Sequence, residues 1–355
     1  MSTYSKRLLW FASGVFFLPV NLLAAPTVTC PLTDNDQIPE KVQFASTDTG
    51  HIQLVGYLFK PVTKVKSATA VRKTFPAIVM LHGRRGPYSK KAIDANGPYD
   101  KRHLSQRHYC WGRYWSTQGY IALHVDSFSP RDYPKGFDKG SHCCRPEAVN
   151  ERTVRPLDAY GALNYLQNQC PDAEGKKQCP DVDKDRIGIQ GWSNGGSTVM
   201  NTLSKDNIAH ETKGFRAGLA FYPGCIIDSD YKADKKICPC NPAEKNNCSA
   251  LYMEDWENYA PLHVFLAGND EETPKKYCER RLTKAKQRKN SVEWEVFTDA
   301  THNFDDPENW KPHKPGSKPE CKENSADHPH RGDNCTATEN AKELATAFFE
   351  QHLKK

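Results

Sequence analysis

Beyond Leu23 the sequence has no apolar run long enough to cross a bilayer, which excludes a protein with several membrane spans. It has no basic stripe interleaved with aromatics, and its formal charge of +6 is modest, so nucleic acid is excluded as a partner. It lacks the two closely spaced ligand pairs that a structural zinc site uses, so "SHCC" and "CPC" read as disulfide cysteines rather than metal ligands. No internal repeat is present. What remains is a polar globular composition, 37% hydrophobic and 26% charged, in a chain of 355 residues that fits one large α/β domain with insertions.

The single long apolar run, Leu8 to Leu23, follows Lys6 and Arg7 and precedes Ala24 and Ala25. That layout predicts a secretory signal over residues 1–25, removed to leave one domain over residues 26–355, with no membrane attachment and a secreted or periplasmic location. Leu22, Leu23 and Pro26 flank the cut unfavourably, which keeps an uncleaved anchor as the alternative. All 13 cysteines lie beyond the signal, as expected in an oxidising compartment. The odd count leaves at least one unpaired or paired between chains. Cys170 with Cys179, the group Cys238, Cys240 and Cys248, and Cys321 with Cys335 read as staples of polar loops.

Two alternating segments, "KVQFAST" and "HIQLVGYLFKP", read as an antiparallel hairpin. Six short apolar runs follow: "FPAIVMLHG", "GYIALHVDSF", "RIGIQGWSNGG", "FRAGLAFYPG", "PLHVFLAGND" and "VEWEVFTDATH". Runs of strand length buried on both faces mark a parallel sheet. Helical spacing appears in "ERTVRPLDAYGALNYLQNQ", with Pro156 near its start, and in the closing "TENAKELATAFFEQHLKK", where Ala341, Leu344, Phe348 and His352 form a stripe. The alternation predicts a doubly wound α/β fold. Arg131–Glu147, Asp228–Asp255 and Phe304–Asn334 break the rhythm and read as surface insertions.

"Gly191-Trp192-Ser193-Asn194-Gly195" is G-x-S-x-G between an expected strand and an expected helix, the setting of a nucleophile elbow. A serine hydroxyl needs a base, an acid that orients the base, and donors for the oxyanion it generates. An α/β hydrolase carries them in the order Ser, acid, His, each after a later strand. Asp270 is the acid chosen, with Glu271 and Glu272 as alternatives in the same loop, and His302 is the base. The N–H groups of Asn194 and Arg84 are the expected oxyanion donors, the second from the turn "HGRRG", where His82 reads as structural.

The blocks "LHG" at Leu81–Gly83, "DSFSPR" at Asp126–Arg131, "RPLDA" at Arg155–Ala159, "GWSNGG" at Gly191–Gly196, "FYPG" at Phe221–Gly224, "DEETP" at Asp270–Pro274 with Cys278, and "ATHNFD" at Ala300–Asp305 together resemble the dienelactone hydrolase family of α/β hydrolases. The resemblance runs from about Val42 to the C-terminus. It implies a triad of Ser193, Asp270 and His302, an acyl-enzyme, an ester or lactone substrate, and no metal. The enzyme that names the family uses cysteine where Ser193 stands here, and serine suits broader esterase chemistry. No cofactor is called for.

Arg84, Arg85 and Arg131 are expected on loops that meet near the sheet's C-terminal edge, where they would favour an anionic substrate. Surface arginines paired with local carboxylates are the alternative. Trp192, beside the nucleophile, is a third kind of candidate, either a substrate contact or packing beneath the elbow. Two other functions compete: a peptidase of the prolyl-oligopeptidase type, for whose extra domain the chain has no room, and an inactive hydrolase-like binding protein.

Overall fold

The computed structural model describes residues 38–62, 74–137, 146–169, 182–207, 214–226, 255–307 and 329–354. In chain order the principal elements are β1 (Glu40–Ala45), β2 (Gln53–Phe59), β3 (Phe75–Leu81), α1 (Lys90–Asp94), α2 (Gln106–Thr117), β4 (Ile121–Asp126), α3 (Arg155–Asn164), β5 (Val182–Trp192), α4 (Asn194–Thr202), β6 (Ala217–Phe221), β7 (Leu262–Ala267), α5 (Lys275–Gln287), β8 (Val292–Phe297) and α6 (Pro329–Leu353). The strands form one sheet in the order β1-β2-β4-β3-β5-β6-β7-β8. β1 and β2 pair antiparallel, as do β2 and β4, and β4 through β8 run parallel. All eight expected strands form, and the fold is an α/β hydrolase.

Burial explains the sequence pattern. Every residue of β4 and β6 is buried, because helices cover both faces and leave no side for polar alternation. One face carries α3, α4 and α5 on an aliphatic layer that includes Leu163, Val199, Met200 and Leu282. The other carries α2 and α6 on an aromatic layer that includes Trp111, Trp115, Trp192, Phe221 and Phe349. The final helix presents Ala337, Ala341, Ala345, Phe348, Phe349 and Leu353 to that layer, whereas Leu344 and His352 flank it. α2 escapes a search for apolar period, since "QRHYCWGRYWST" is aromatic and basic; its tryptophans and tyrosines supply the buried surface instead.

The register aligns the strand ends that matter. Leu81 pairs with Gly191, Trp192 with Phe221, Phe221 with Phe265, and Ala267 with Phe297. Loops leaving β3, β5, β6, β7 and β8 therefore emerge along one edge of the sheet. Of the expected insertions, residues 131–137 are described and pack onto this edge, Phe137 N–H donating to Arg84 O at 3.1 Å. The expected signal, the greater part of the other two insertions, and Cys170, Cys179, Cys238, Cys240, Cys248 and Cys321 lie outside the described residues, whereas Cys335 is described and disulfide-bonded. Cys225–Cys278, a disulfide with both partners among the described residues, is not a loop staple: it joins the end of β6 to α5 across 53 residues.

Candidate active site

Ser193 sits between β5 and α4 with φ 52° and ψ −115°, a backbone state that costs an L-residue about 1–3 kcal/mol. The surroundings hold it there. Its N–H donates to Phe221 O at 2.9 Å, and its carbonyl accepts from Ser197 N at 2.9 Å. The flanking glycines are required by close approach: a Cβ on Gly191 would stand 2.3 Å from Gly195 O, and one on Gly195 would stand 2.1 Å from Leu81 O.

Three sequence-predicted residues meet at this point. Ser193 Oγ lies 3.0 Å from His302 Nε2, and His302 Nδ1 lies 2.8 Å from Asp270 Oδ2. A carboxylate only accepts, so the imidazole carries its proton on Nδ1 and turns the Nε2 lone pair toward Ser193. Asp270 is fixed in turn. Its Oδ1 accepts from the N–H groups of Glu272 and Thr273 at 2.8 Å each, and its Oδ2 accepts from Thr273 Oγ1 at 2.8 Å. Thr273 Oγ1 also lies 3.1 Å from Tyr222 O, which ties the acid loop to the end of β6.

The residues expected to bind the oxyanion lie on the elbow helix and on a turn beside it. Asn194 is the first residue of α4, so its N–H has no acceptor within the helix and lies at the helix's positive end. The turn that carries Arg84 is closed by Gly86 N–H on Gly83 O and abuts the elbow, a Cβ on Gly83 falling 3.5 Å from Ser193 Cβ. His82 is structural here. Its Nδ1 donates to Gly83 O at 2.7 Å and its Nε2 accepts from Ser127 N, while burial, and then Arg155, holds it well below the usual histidine range.

Two expectations are corrected. Arg131 does not reach the cleft: Asp158 binds its guanidinium through both carboxylate oxygens at 2.7 and 3.0 Å, and Asp48 lies 2.8 Å away. A buried carboxylate next to a buried guanidinium leaves no free donor edge for a substrate. Trp192 is also no substrate contact. Fully buried, it packs beneath the elbow against His108, Trp111 and Phe221, and its indole N–H donates to Asp305 Oδ2 at 2.7 Å. Arg85 is exposed, and Arg84 lies 3.4 Å from Glu272 Oε2.

Sequence reasoning missed the supports of the site. Arg155 ties the elbow helix to the turn after β3, one guanidinium nitrogen donating to Asn194 Oδ1 and the other to His82 O at 2.8 Å. Glu151 accepts from Asn194 Nδ2 at 2.9 Å. Burial lowers Arg155 to about 10, opposed by Asp158 and Glu151. Asp305, three residues past His302, accepts from Trp111 Nε1 at 2.8 Å, from Trp192 Nε1 and from Tyr222 OH. Tyr222 packs its ring 4.7 Å from that of His302. Arg107 donates to Tyr222 OH at 3.0 Å and to Asn303 Oδ1 at 2.7 Å. The blocks "RPLDA" and "ATHNFD" contain Arg155 and Asp305, so the motifs held them although nothing local marked their roles.

Among curated proteins nothing matches. Solved structures of similar fold include the apo form of Thermogutta terrifontis esterase 2, at 18% identity and TM-score 0.54, covering 90% of this chain and 97% of that one. They also include a puromycin-hydrolyzing peptidase of Mycobacterium tuberculosis, at 15% identity and TM-score 0.55, and the Pyrococcus horikoshii acylaminoacyl peptidase, at 19% identity and TM-score 0.52. These cover 91% and 89% of this chain but only 41% and 42% of the peptidases, so this chain spans about two fifths of their length. At such identities the likeness is one of fold. The sequence itself goes further: the dienelactone hydrolase family model matches residues 115–353, which contain the elbow, the acid loop and the histidine loop, and the chain belongs to the dienelactone hydrolase family.

Proposed function

We propose that this protein hydrolyses carboxylic esters or lactones through an acyl-enzyme on Ser193. The carrying observation is the unbroken hydrogen-bonded line from Ser193 Oγ through His302 to Asp270 at a strained strand-to-helix turn. In this reading Ser193 Oγ attacks the carbonyl carbon while its proton passes to His302 Nε2. Asp270 holds the ring orientation and stabilises the imidazolium, and the N–H groups of Asn194 and Arg84 bind the oxyanion. The Nε2 proton then goes to the departing alkoxide. Water repeats the sequence to release the acid.

The family supports hydrolysis, and the serine favours broad ester chemistry. With Arg131 occupied elsewhere, an anionic preference rests on Arg84 and the exposed Arg85. Secretion or a periplasmic location belongs to the same proposal, supported by the leader and by the Cys225–Cys278 disulfide.

The test is a panel of short aryl esters, lactones and anionic esters assayed with folded Ser193→Ala. The variant is expected to lose about 10⁴-fold or more in kcat. A folded Ser193→Ala that keeps its ester turnover refutes the assignment.

A further inference from the structure

Glu272 has no part in the reading above, yet its carboxylate lies beside the base. Its Oε2 lies 3.9 Å from His302 Nε2, the same nitrogen that faces Ser193 Oγ at 3.0 Å. The side chain is 17% exposed and has Arg84 Nη2 at 3.4 Å, and its backbone N–H is fixed on Asp270 Oδ1 at 2.8 Å. We propose that Glu272 orients the water that hydrolyses the acyl-enzyme, an inference that rests on the roles given to Ser193 and His302.

The geometry suits a water and little else. An oxygen placed about 2.8 Å from each of two acceptors at this spacing sees them at about 90°, close to the ~105° between the two O–H bonds of water. One O–H then points at His302 Nε2 and the other at Glu272 Oε2. In this proposal the water's lone pair is the one that attacks the ester carbonyl on Ser193. An untethered water loses far more orientational freedom than the covalently held serine, so a second acceptor has most to offer in this step.

The step balances. One water proton passes to His302 Nε2 as the water oxygen bonds to the acyl carbon; the second proton stays on that oxygen, hydrogen-bonded to Glu272. The tetrahedral intermediate then collapses by breaking the bond from carbon to Ser193 Oγ. The Nε2 proton returns to Oγ, and the carboxylic acid leaves. Acylation uses no water, so the water-orienting role of Glu272 belongs to the second half of the cycle.

That asymmetry defines the experiment. Glu272→Ala and Glu272→Gln are compared with wild type on a p-nitrophenyl ester by stopped flow, and decay of the acyl adduct on Ser193 is followed by intact mass after rapid removal of substrate. The expected result is acyl-enzyme decay slowed about 10-fold or more, with a burst approaching one p-nitrophenol per enzyme and kcat/KM within about twofold of wild type. Glu272→Asp is expected to recover part of the decay rate. Unchanged decay overturns the proposal, and so does a fall in kcat/KM as large as the fall in decay rate. If wild type forms no adduct on Ser193, the functional reading fails and this inference with it; a normal adduct that decays normally in the variants sinks only the role of Glu272.

Discussion

Asp305 shows how much of the site depends on one buried carboxylate. Three donors converge on it, the indoles of Trp111 and Trp192 and the hydroxyl of Tyr222, and each sits on a different element. Burial raises its affinity for a proton, and Arg107, 4.0 Å away, opposes that shift. Removing the acceptor leaves those donors buried without it, at about 1–3 kcal/mol for each unsatisfied group. Asp305→Ala is therefore expected to lower the unfolding free energy by about 3 kcal/mol or more in urea denaturation. Asp305→Asn keeps one acceptor oxygen and should lose less. Because Trp192 precedes Ser193 and Tyr222 packs on His302, the loss should also reach activity.

At the scale of elements, the acid loop is held between β6 and α5. Cys225 follows β6, Cys278 lies in the first turns of α5, and the loop from Asp270 to Thr273 lies just before that helix. Closing a 53-residue loop in the unfolded chain is worth about 4 kcal/mol in the chain-entropy account. Cys225→Ala combined with Cys278→Ala should lower stability by a sum of that order, read from thermal unfolding with all other cysteines left intact. The helix α2 acts differently. It brings Arg107 and Trp111 to the underside of the elbow through aromatic packing that no period in its sequence announces.

For the whole molecule, the telling feature is a group of three buried histidines beneath the site. His108 and His124 have ring centres 4.2 Å apart, and His82 stacks on His124 at 6.2 Å. Burial, with Arg107 and Arg155 adding positive charge, takes His124 to about 3 and the other two well below the ordinary histidine value. The folded protein keeps these rings neutral while the unfolded chain protonates them below about pH 6.5, so each contributes stability that falls as pH falls, by up to about 1.4 kcal/mol per pH unit. Asp158 and Asp305 are displaced upward by burial and pull the other way, so the difference between proteins is the cleaner measure. Urea unfolding of wild type and His108→Phe from about pH 7.5 to about pH 5 should differ in slope by roughly one proton, with the variant less acid-sensitive.

The sequence by itself determined the sheet, the elbow and the order of the residues that meet there. Those properties are local: a strand buried on both faces must be apolar throughout, as β4 and β6 are, and a strand-to-helix turn that brings Gly195 against Leu81 O excludes a side chain. Asp270 and His302 could be placed because each follows a strand whose C-terminal end lies on the same sheet edge. Only the tertiary structure decided which charges face the cleft. Arg131 is spent on Asp158, 27 residues away, whereas Glu272, at first only an alternative acid, stands beside His302 and Arg84, the latter 188 residues distant in the chain. A charged side chain's partner is fixed by which loops the sheet register brings together, and no local pattern of sequence carries that information.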